Sequence, residues 1–202
     1  MAAASNLRVS GDGRARCGWV GTDPEYERYH DDEWGYPLHG DRELFEKLSL
    51  EAFQSGLSWI TILRRRDSFR AAFADFSPDI VAAFNDEDVE VLMNNSGIIR
   101  NRSKVLATIA NARITNQFVE NDPGAFDRLI WSFAPERAKE SPRSRPASLA
   151  ELPSQTTDSM ALSATLRKLG YRFIGPTTSY ALMQSAGLVD DHLSGCWRSG
   201  AD

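Results

Sequence analysis

Between residues 41 and 187 the apolar side chains of this chain recur at helical spacing. No segment alternates apolar and polar residues with the period of a β-strand. After Asp41, which can serve as an N-cap, Leu44, Phe45, Leu48 and Ala52 fall on one helical stripe. Ser58 opens a second helix expected to run to about Phe73. Ser77-Pro78 sets a cap before a proline at the first helical position, with Ile80, Val81 and Phe84 behind it. Asn85 and Asp88 have capping-box spacing ahead of Val89, Leu92 and Met93. A break at Asn94-Asn95-Ser96-Gly97-Ile98-Ile99 precedes a long helix from about Asn101 to Val119. Two more helices follow, one ending at Gly170 and one, from about Pro176 to Ala186, ending at Gly187. The expected fold class is all-α.

The 202 residues are 42% hydrophobic and 25% charged, the balance of one soluble globular domain. Residues 1–15 read as a flexible leader and 16–202 as a single domain. The Pro/Ser-rich stretch ESPRSRPASLAELP (140–153) is the only linker-like loop inside it. No run approaches the ~18 apolar residues of a membrane helix, and the N-terminus lacks the apolar stretch of a secretory signal. A cytoplasmic location and no membrane partner are expected. The net charge of −5 argues against coating nucleic acid by bulk electrostatics. Basic residues are nevertheless clustered, at Arg64, Arg65, Arg66 and Arg70 and at Arg100, Arg102 and Lys104. These are either solvated helix faces or a local phosphate-binding patch.

Both cysteines and two of the three histidines form two pairs, Cys17 with His30 and His192 with Cys196. Two Cys and two His satisfy a tetrahedral structural zinc site, and the pairing would tie the start of the domain to its end. Four protein ligands leave no open position for water, so one structural Zn²⁺ is expected. The competing reading is two small buried thiols beside ordinary histidines. His39 falls outside both pairs and reads as a surface residue.

Glu51 projects from the stripe between Leu44 and Leu48, where hydrocarbon would pack better. Trp19, Tyr29, Trp34 and Trp59 lie in flanking segments that can wall a pocket for a flat, hydrogen-bonding heterocycle. A core glutamate paired with an arginine is the alternative. Downstream, a helix, a turn from Ser96 to Arg100 and a helix opening with Asn101-Arg102-Ser103-Lys104 present backbone N–H groups and basic side chains to an anion. Without a glycine-rich phosphate loop, nucleic-acid phosphate suits this turn better than a nucleotide cofactor.

The segments RCGWV (16–20), DPEYERYHDDEWG (23–35), LEAFQSGLSWITIL (50–63), SGIIRNRSK (96–104), IWSF (130–133) and FIGPTTSYALMQSAGLVDDHLSGC (173–196) together resemble the DNA-3-methyladenine glycosylase I family, bacterial alkylation-repair enzymes of the helix–hairpin–helix superfamily. The resemblance implies an all-α fold whose ends are joined by zinc on Cys17, His30, His192 and Cys196. It implies Glu51 as the base-recognition and catalytic residue, with Tyr29 and Trp59 as pocket aromatics and Trp19 and Trp34 nearby. Its hairpin corresponds to Gly97 through Lys104, with Arg100, Arg102 and Lys104 on the DNA backbone. Gly56 and Leu57 match the turn that fills the gap left by the extruded base. The superfamily's catalytic aspartate precedes the position of His192, which here reads Val189-Asp190-Asp191-His192. The implied activity is hydrolysis of the N-glycosidic bond of 3-methyladenine in alkylated double-stranded DNA by base flipping. It would release free base and leave an abasic site, as a monofunctional monomer. A non-catalytic binder of alkylated DNA and a zinc hydrolase of small molecules are the competing classes.

Overall fold

The computed structural model describes residues 6–135 and 145–199. Among the described residues ten α-helices make up nearly all the regular structure: α1 (Pro24–Asp32), α2 (Asp41–Gln54), α3 (Trp59–Leu63), α4 (Arg66–Ala72), α5 (Pro78–Ala82), α6 (Asp86–Asn94), α7 (Arg102–Val119), α8 (Ala125–Trp131), α9 (Thr157–Lys168) and α10 (Pro176–Ser185). The all-α expectation needs one correction. Leu7–Val9 pairs antiparallel with Ala15–Cys17 in a two-stranded hairpin. The first of these strands lies inside the expected flexible leader, so residues 7–15 are structured. The reason is tertiary: Arg8 reaches Glu27 of α1 (2.9 Å), and Trp197 N–H donates to Ala15 O (2.7 Å). Residues 140–144 of the expected Pro/Ser loop lie outside the described residues.

Several local signals act as read. Asn85 Oδ1 accepts from Glu87 and Asp88 N–H while Asp88 Oδ2 accepts from Asn85 N–H, the full capping box of α6. Pro78 opens α5 as expected, although Ser77 at the N-cap position makes no capping hydrogen bond and its hydroxyl donates to the Asp79 carboxylate instead. Asn101 caps α7 through Lys104 N–H at 3.2 Å. Gly170 and Gly187 follow α9 and α10 with φ of +101° and +73°.

Two elements differ. Asp41 does not cap its own helix; Gly40 does. Asp41 instead accepts from Gly124 and Asp127 N–H at the start of α8 (2.6 and 2.9 Å), and Asp127 accepts from Gly40 N–H (2.5 Å). The two helices exchange capping carboxylates, which locks their N-termini together. The helix expected over 58–73 breaks after Leu63 into α3 and α4. The break lets Arg64 pair with Asp23 and Arg66 with Glu33, both contributed by the α1 segment.

The core centres on α2, which packs against α3, α7, α8 and α10. Phe45, Phe53, Phe69, Phe73 and Phe76 interlock there as fully buried rings. This burial fixes which face of α2 meets the interior, and hence where Glu51 points. Among the described residues no helix is long and apolar enough to cross a membrane.

Candidate functional site

Glu51 is 4% exposed and borders a cavity of ≈ 230 Å³. Trp19, Tyr29, Trp34 and Trp59, the four aromatics singled out by sequence, all line it. Their rings brace one another: Trp19 meets Trp34 edge-on at 5.1 Å, and Tyr29 lies 5.4 Å from Trp59. Pockets for drug-sized ligands run roughly 300–1,000 Å³, so this cavity has room for one heterocycle and not for a whole nucleotide.

Burial pushes the Glu51 carboxyl up from 4.5 to about 7, against the opposing pull of the Lys47 ammonium and a hydrogen bond from Ser185. Lys47 is itself buried, with Nζ 5.3 Å from the Tyr29 ring and 5.9 Å from the Trp59 ring. The site thus holds one carboxyl close to its titration point within hydrocarbon and aromatic walls. A cationic, hydrogen-bond-donating guest would favour its ionised form.

Sequence reasoning missed Tyr26, Gln54, Gln184 and Ser185, which complete the polar lining. Tyr26 and Gln54 stand three residues from Tyr29 and Glu51 on their own helices, so helical spacing could have found them. Gln184 and Ser185 come from α10 and carried no local signal. Asp191 is a buried acceptor for the Tyr180 hydroxyl and for Gln184 Nε2 (2.9 Å), which fixes the orientation of the Gln184 amide. Asp190 accepts from His192 Nδ1 (2.8 Å) and pairs with Arg145 (2.5 Å). Neither aspartate lines the cavity.

The ligand atoms of Cys17, His30 and Cys196 lie within 4.8 Å of one another, all buried, a cluster able to hold a metal ion. His192 stands beside it, its ring centroid 4.9 Å from that of His30. His192 Nε2 is buried and has no partner among the described residues. Each imidazole presents Nδ1 to a carboxylate: His30 to Asp31 at 2.8 Å and His192 to Asp190 at 2.8 Å. That arrangement fixes the tautomer and leaves Nε2 as the ligating atom. Cluster and cavity share walls, because Trp19 rests edge-on against His30 (5.4 Å) and Trp34 against His192 (4.6 Å).

The turn after α2 carries Gly56, with φ +83°, and Leu57, 40% exposed. A left-handed glycine here lets the chain reverse and present an apolar side chain to solvent beside the cavity. In the α6–α7 turn, a Cβ on Gly97 would stand 2.9 Å from Ser68 Cβ, so this turn packs too closely on α4 for any other residue.

Lys104 requires a correction. It is 7% exposed, and Nζ donates to Phe53 O (2.7 Å) and Ser55 O (2.6 Å), capping the C-terminus of α2. Its ammonium is engaged and is not free for a phosphate. Arg102 is exposed but pairs with Glu90 at 2.5 Å. Arg100 is exposed and makes no ion pair among the described residues. The cluster at Arg64, Arg66 and Arg70 is neutralised by Asp23, Glu33 and Glu46. His39 is exposed, stacked on Trp131 and bonded to Asp127.

The methyladenine glycosylase family model matches residues 19–199. The chain belongs to the methyladenine glycosylase family. It is 46% identical over 181 residues to DNA-3-methyladenine glycosylase 1 of Escherichia coli (strain K12), covering 90% of this chain and 95% of that protein. It superposes on a crystal structure of 3-methyladenine DNA glycosylase I with a TM-score of 0.84 at 45% identity, covering 91% of this chain and 98% of the other. A structure describing 3-methyladenine recognition by 3-methyladenine DNA glycosylase I from Staphylococcus aureus gives a TM-score of 0.83 at 31% identity, over 93% and 97% of the two chains. Within this member of the family, the aromatic cavity, the turn at Gly56-Leu57 and the α6–α7 hairpin adjoin one another. Lys104 is the hinge pin, joining the start of α7 to the chain just before Gly56.

Proposed function

We propose that the protein is a monofunctional DNA glycosylase of base-excision repair that hydrolyses the N-glycosidic bond of 3-methyladenine in alkylated double-stranded DNA. One observation carries the reading: a buried carboxyl, Glu51, faces a base-sized cavity walled by Trp19, Tyr29, Trp34 and Trp59. Names and structures of its relatives, DNA-3-methyladenine glycosylases, support the same chemistry.

Methylation at N3 gives the adenine a positive charge while its N-glycosidic bond is intact. Extrusion from the stack costs a few kcal/mol, less for a damaged base. In the cavity Glu51 accepts hydrogen bonds from the adenine edge and its negative charge complements the cationic base. The C1′–N9 bond breaks, its electron pair returns to the ring as neutral 3-methyladenine, and water adds to C1′ with loss of a proton. The product is an abasic site. Leu57 fills the gap in the stack, and Gly56 permits the turn that presents it. The hairpin from Gly97 holds backbone phosphates through the N-terminal amides of α7 and Arg100, with Arg102 joining them where DNA phosphate displaces Glu90 from its guanidinium. Asp190 holds His192 and is not the group that activates water.

Cys17, His30, His192 and Cys196 would hold one Zn²⁺. The two thiols and the two Nε2 atoms are the donor set of a closed structural site, and the orphaned Nε2 of His192 fits it. The ion supplies cross-linking between the ends of the domain and no catalytic water. The protein acts in the cytoplasm as a monomer without a nucleotide cofactor.

The test is incubation with N-methylated duplex DNA followed by chromatography of the released bases. Free 3-methyladenine from the wild type, strongly reduced in Glu51→Gln at equal folded protein, is expected. Tight binding with no free base released would instead identify a non-catalytic binder.

A further inference from the structure

Lys47 is a buried basic residue that the reaction described above does not use. It is 9% exposed and stands one turn before Glu51 on α2, so the two side chains emerge on the same face of the helix. Its ammonium lies behind the aromatic wall and not in the cavity. Nζ is 5.3 Å from the Tyr29 ring and 5.9 Å from the Trp59 ring, and Lys47 does not border the cavity that these rings line. Burying an ammonium is costly unless an anion compensates it. Burial pulls Lys47 below its ordinary value, while the carboxylates around it oppose that pull.

The arginines decide which carboxylate is left for Lys47. Glu33 is bonded by Arg66 (3.0 Å) and Arg28 (2.8 Å), and Glu46 by Arg70 (2.8 Å). Glu51 has no guanidinium partner among the described residues; its hydrogen bond comes from Ser185. The other groups that face it are uncharged near neutrality. Tyr26 and Tyr29 of α1 are pushed up by burial, and Trp59 of α3 and Gln184 of α10 do not ionise. His30 and His192 stand behind Trp19 and Trp34. Lys104 of α7 is turned to the carbonyls of Phe53 and Ser55 at the end of α2. Among the described residues, Lys47 is thus the one formal charge set against Glu51.

We propose that Lys47 is the internal counter-ion of Glu51, a positioning residue that keeps the carboxylate ionised in the empty cavity and so sets the lower pH limit of excision. A carboxyl sealed among aromatic rings would otherwise take up a proton. It would then lose the negative charge and one of the acceptor sites that a cationic base needs. The ammonium supplies the compensating charge from behind the wall, where it neither fills the guest's space nor touches the base. The methylated base then arrives at a carboxylate that is already ionised, and departure of neutral 3-methyladenine leaves the Lys47–Glu51 pair as it began. This inference rests on the glycosylase reading above.

The test uses the full-length protein and two variants. Lys47→Met keeps an unbranched side chain and removes the charge; Lys47→Arg keeps a charge. Carbon NMR of protein labelled at the glutamate carboxyl titrates Glu51 directly, its resonance assigned by its absence from Glu51→Gln. In parallel, kcat/KM for release of 3-methyladenine from methylated duplex is followed across the same pH range. In the wild type both midpoints should fall near 7. In Lys47→Met both should rise together by about one to three pH units, the range for losing a close opposite charge. At about pH 6, kcat/KM should therefore fall roughly 10-fold or more. Lys47→Arg should hold both midpoints near the wild-type position. A Glu51 midpoint unmoved in Lys47→Met would overturn the proposal. So would a midpoint that moves while the kcat/KM limb stays in place, because the pair would then be structural only. Absence of 3-methyladenine release by the wild type would overturn the glycosylase reading instead, and the carboxyl titration separates the two because it needs no turnover.

Discussion

Replacing Glu51 by Gln should stabilise the protein at alkaline pH while impairing excision. Unfolded, the Glu51 carboxyl ionises near 4.5; folded, burial moves it to about 7. Below pH 4.5 both states carry it neutral, and the native state pays no charge penalty for burying it. As pH rises through about 7 the native protein must ionise the group inside its cavity, and that contribution to stability is lost. At about 1.4 kcal/mol for each tenfold step in proton affinity, the displacement corresponds to ~3 kcal/mol. Gln cannot ionise, so Glu51→Gln should escape this loss. The stability difference, mutant minus wild type, should grow by ~3 kcal/mol between pH 4.5 and pH 8.5. Urea unfolding at half-unit pH steps measures it, and the linear extrapolation should keep the same m-value in both proteins. Excision moves the other way. Losing an acceptor to a charged base is worth roughly 1.5–3 kcal/mol, or about 10- to 150-fold in single-turnover rate. Wild-type kcat/KM should climb as pH passes about 7, and the mutant's should lack that limb. A mutant whose stability curve runs parallel to the wild type's across this range would refute the reasoning, because Glu51 would then titrate normally. Loss of stability in step with activity would show a core ion pair with Lys47 and no recognition role.

Lys104→Met should lower stability by about 1–3 kcal/mol by leaving the carbonyls of Phe53 and Ser55 without their donor, with the salt slope of duplex binding unchanged; a slope reduced by one at constant melting temperature would make it a phosphate contact after all. Arg100→Ala, by contrast, should weaken binding to every duplex alike and reduce the salt slope by about one unit, read by titration across salt concentrations. Cys17→Ala or His192→Ala should lower zinc content and thermal stability together, and chelation should unfold the wild type; a metal-free variant that stays stable and active would remove the structural-zinc assignment. Tyr180→Phe should leave the fold intact but loosen the Asp191–Gln184 contact, raising KM for methylated duplex more than it lowers kcat.

The features legible in the sequence are those set within a few residues. The capping box of Asn85 and Asp88 and the Asn101 cap of α7 depend on side chains bonding backbone N–H groups within three positions, and the start of α5 depends on the fixed φ of Pro78, so spacing alone determines them. Glu51 was legible because a carboxyl on an apolar stripe has one direction to point. Cys/His pairing in the sequence names four ligands, of which Cys17, His30 and Cys196 cluster in the structure and His192 stands beside them. What only the tertiary structure decided is which charges remain free. Lys104 and Arg102 sit two residues apart in one basic run, but the last turn of α2 offers bare carbonyls to the first and Glu90 takes the second. Asp41 stands where its spacing suits the cap of its own helix, but α8 lies within reach and claims its carboxylate. The strand at Leu7–Val9 exists because α1 and Trp197 anchor it, and Gln184 enters the cavity because α10 packs across α2. Local backbone geometry follows from neighbours in the chain. A charge or an amide finds its partner through contacts between distant segments, and no spacing rule records which of several partners the packed core brings within 3 Å.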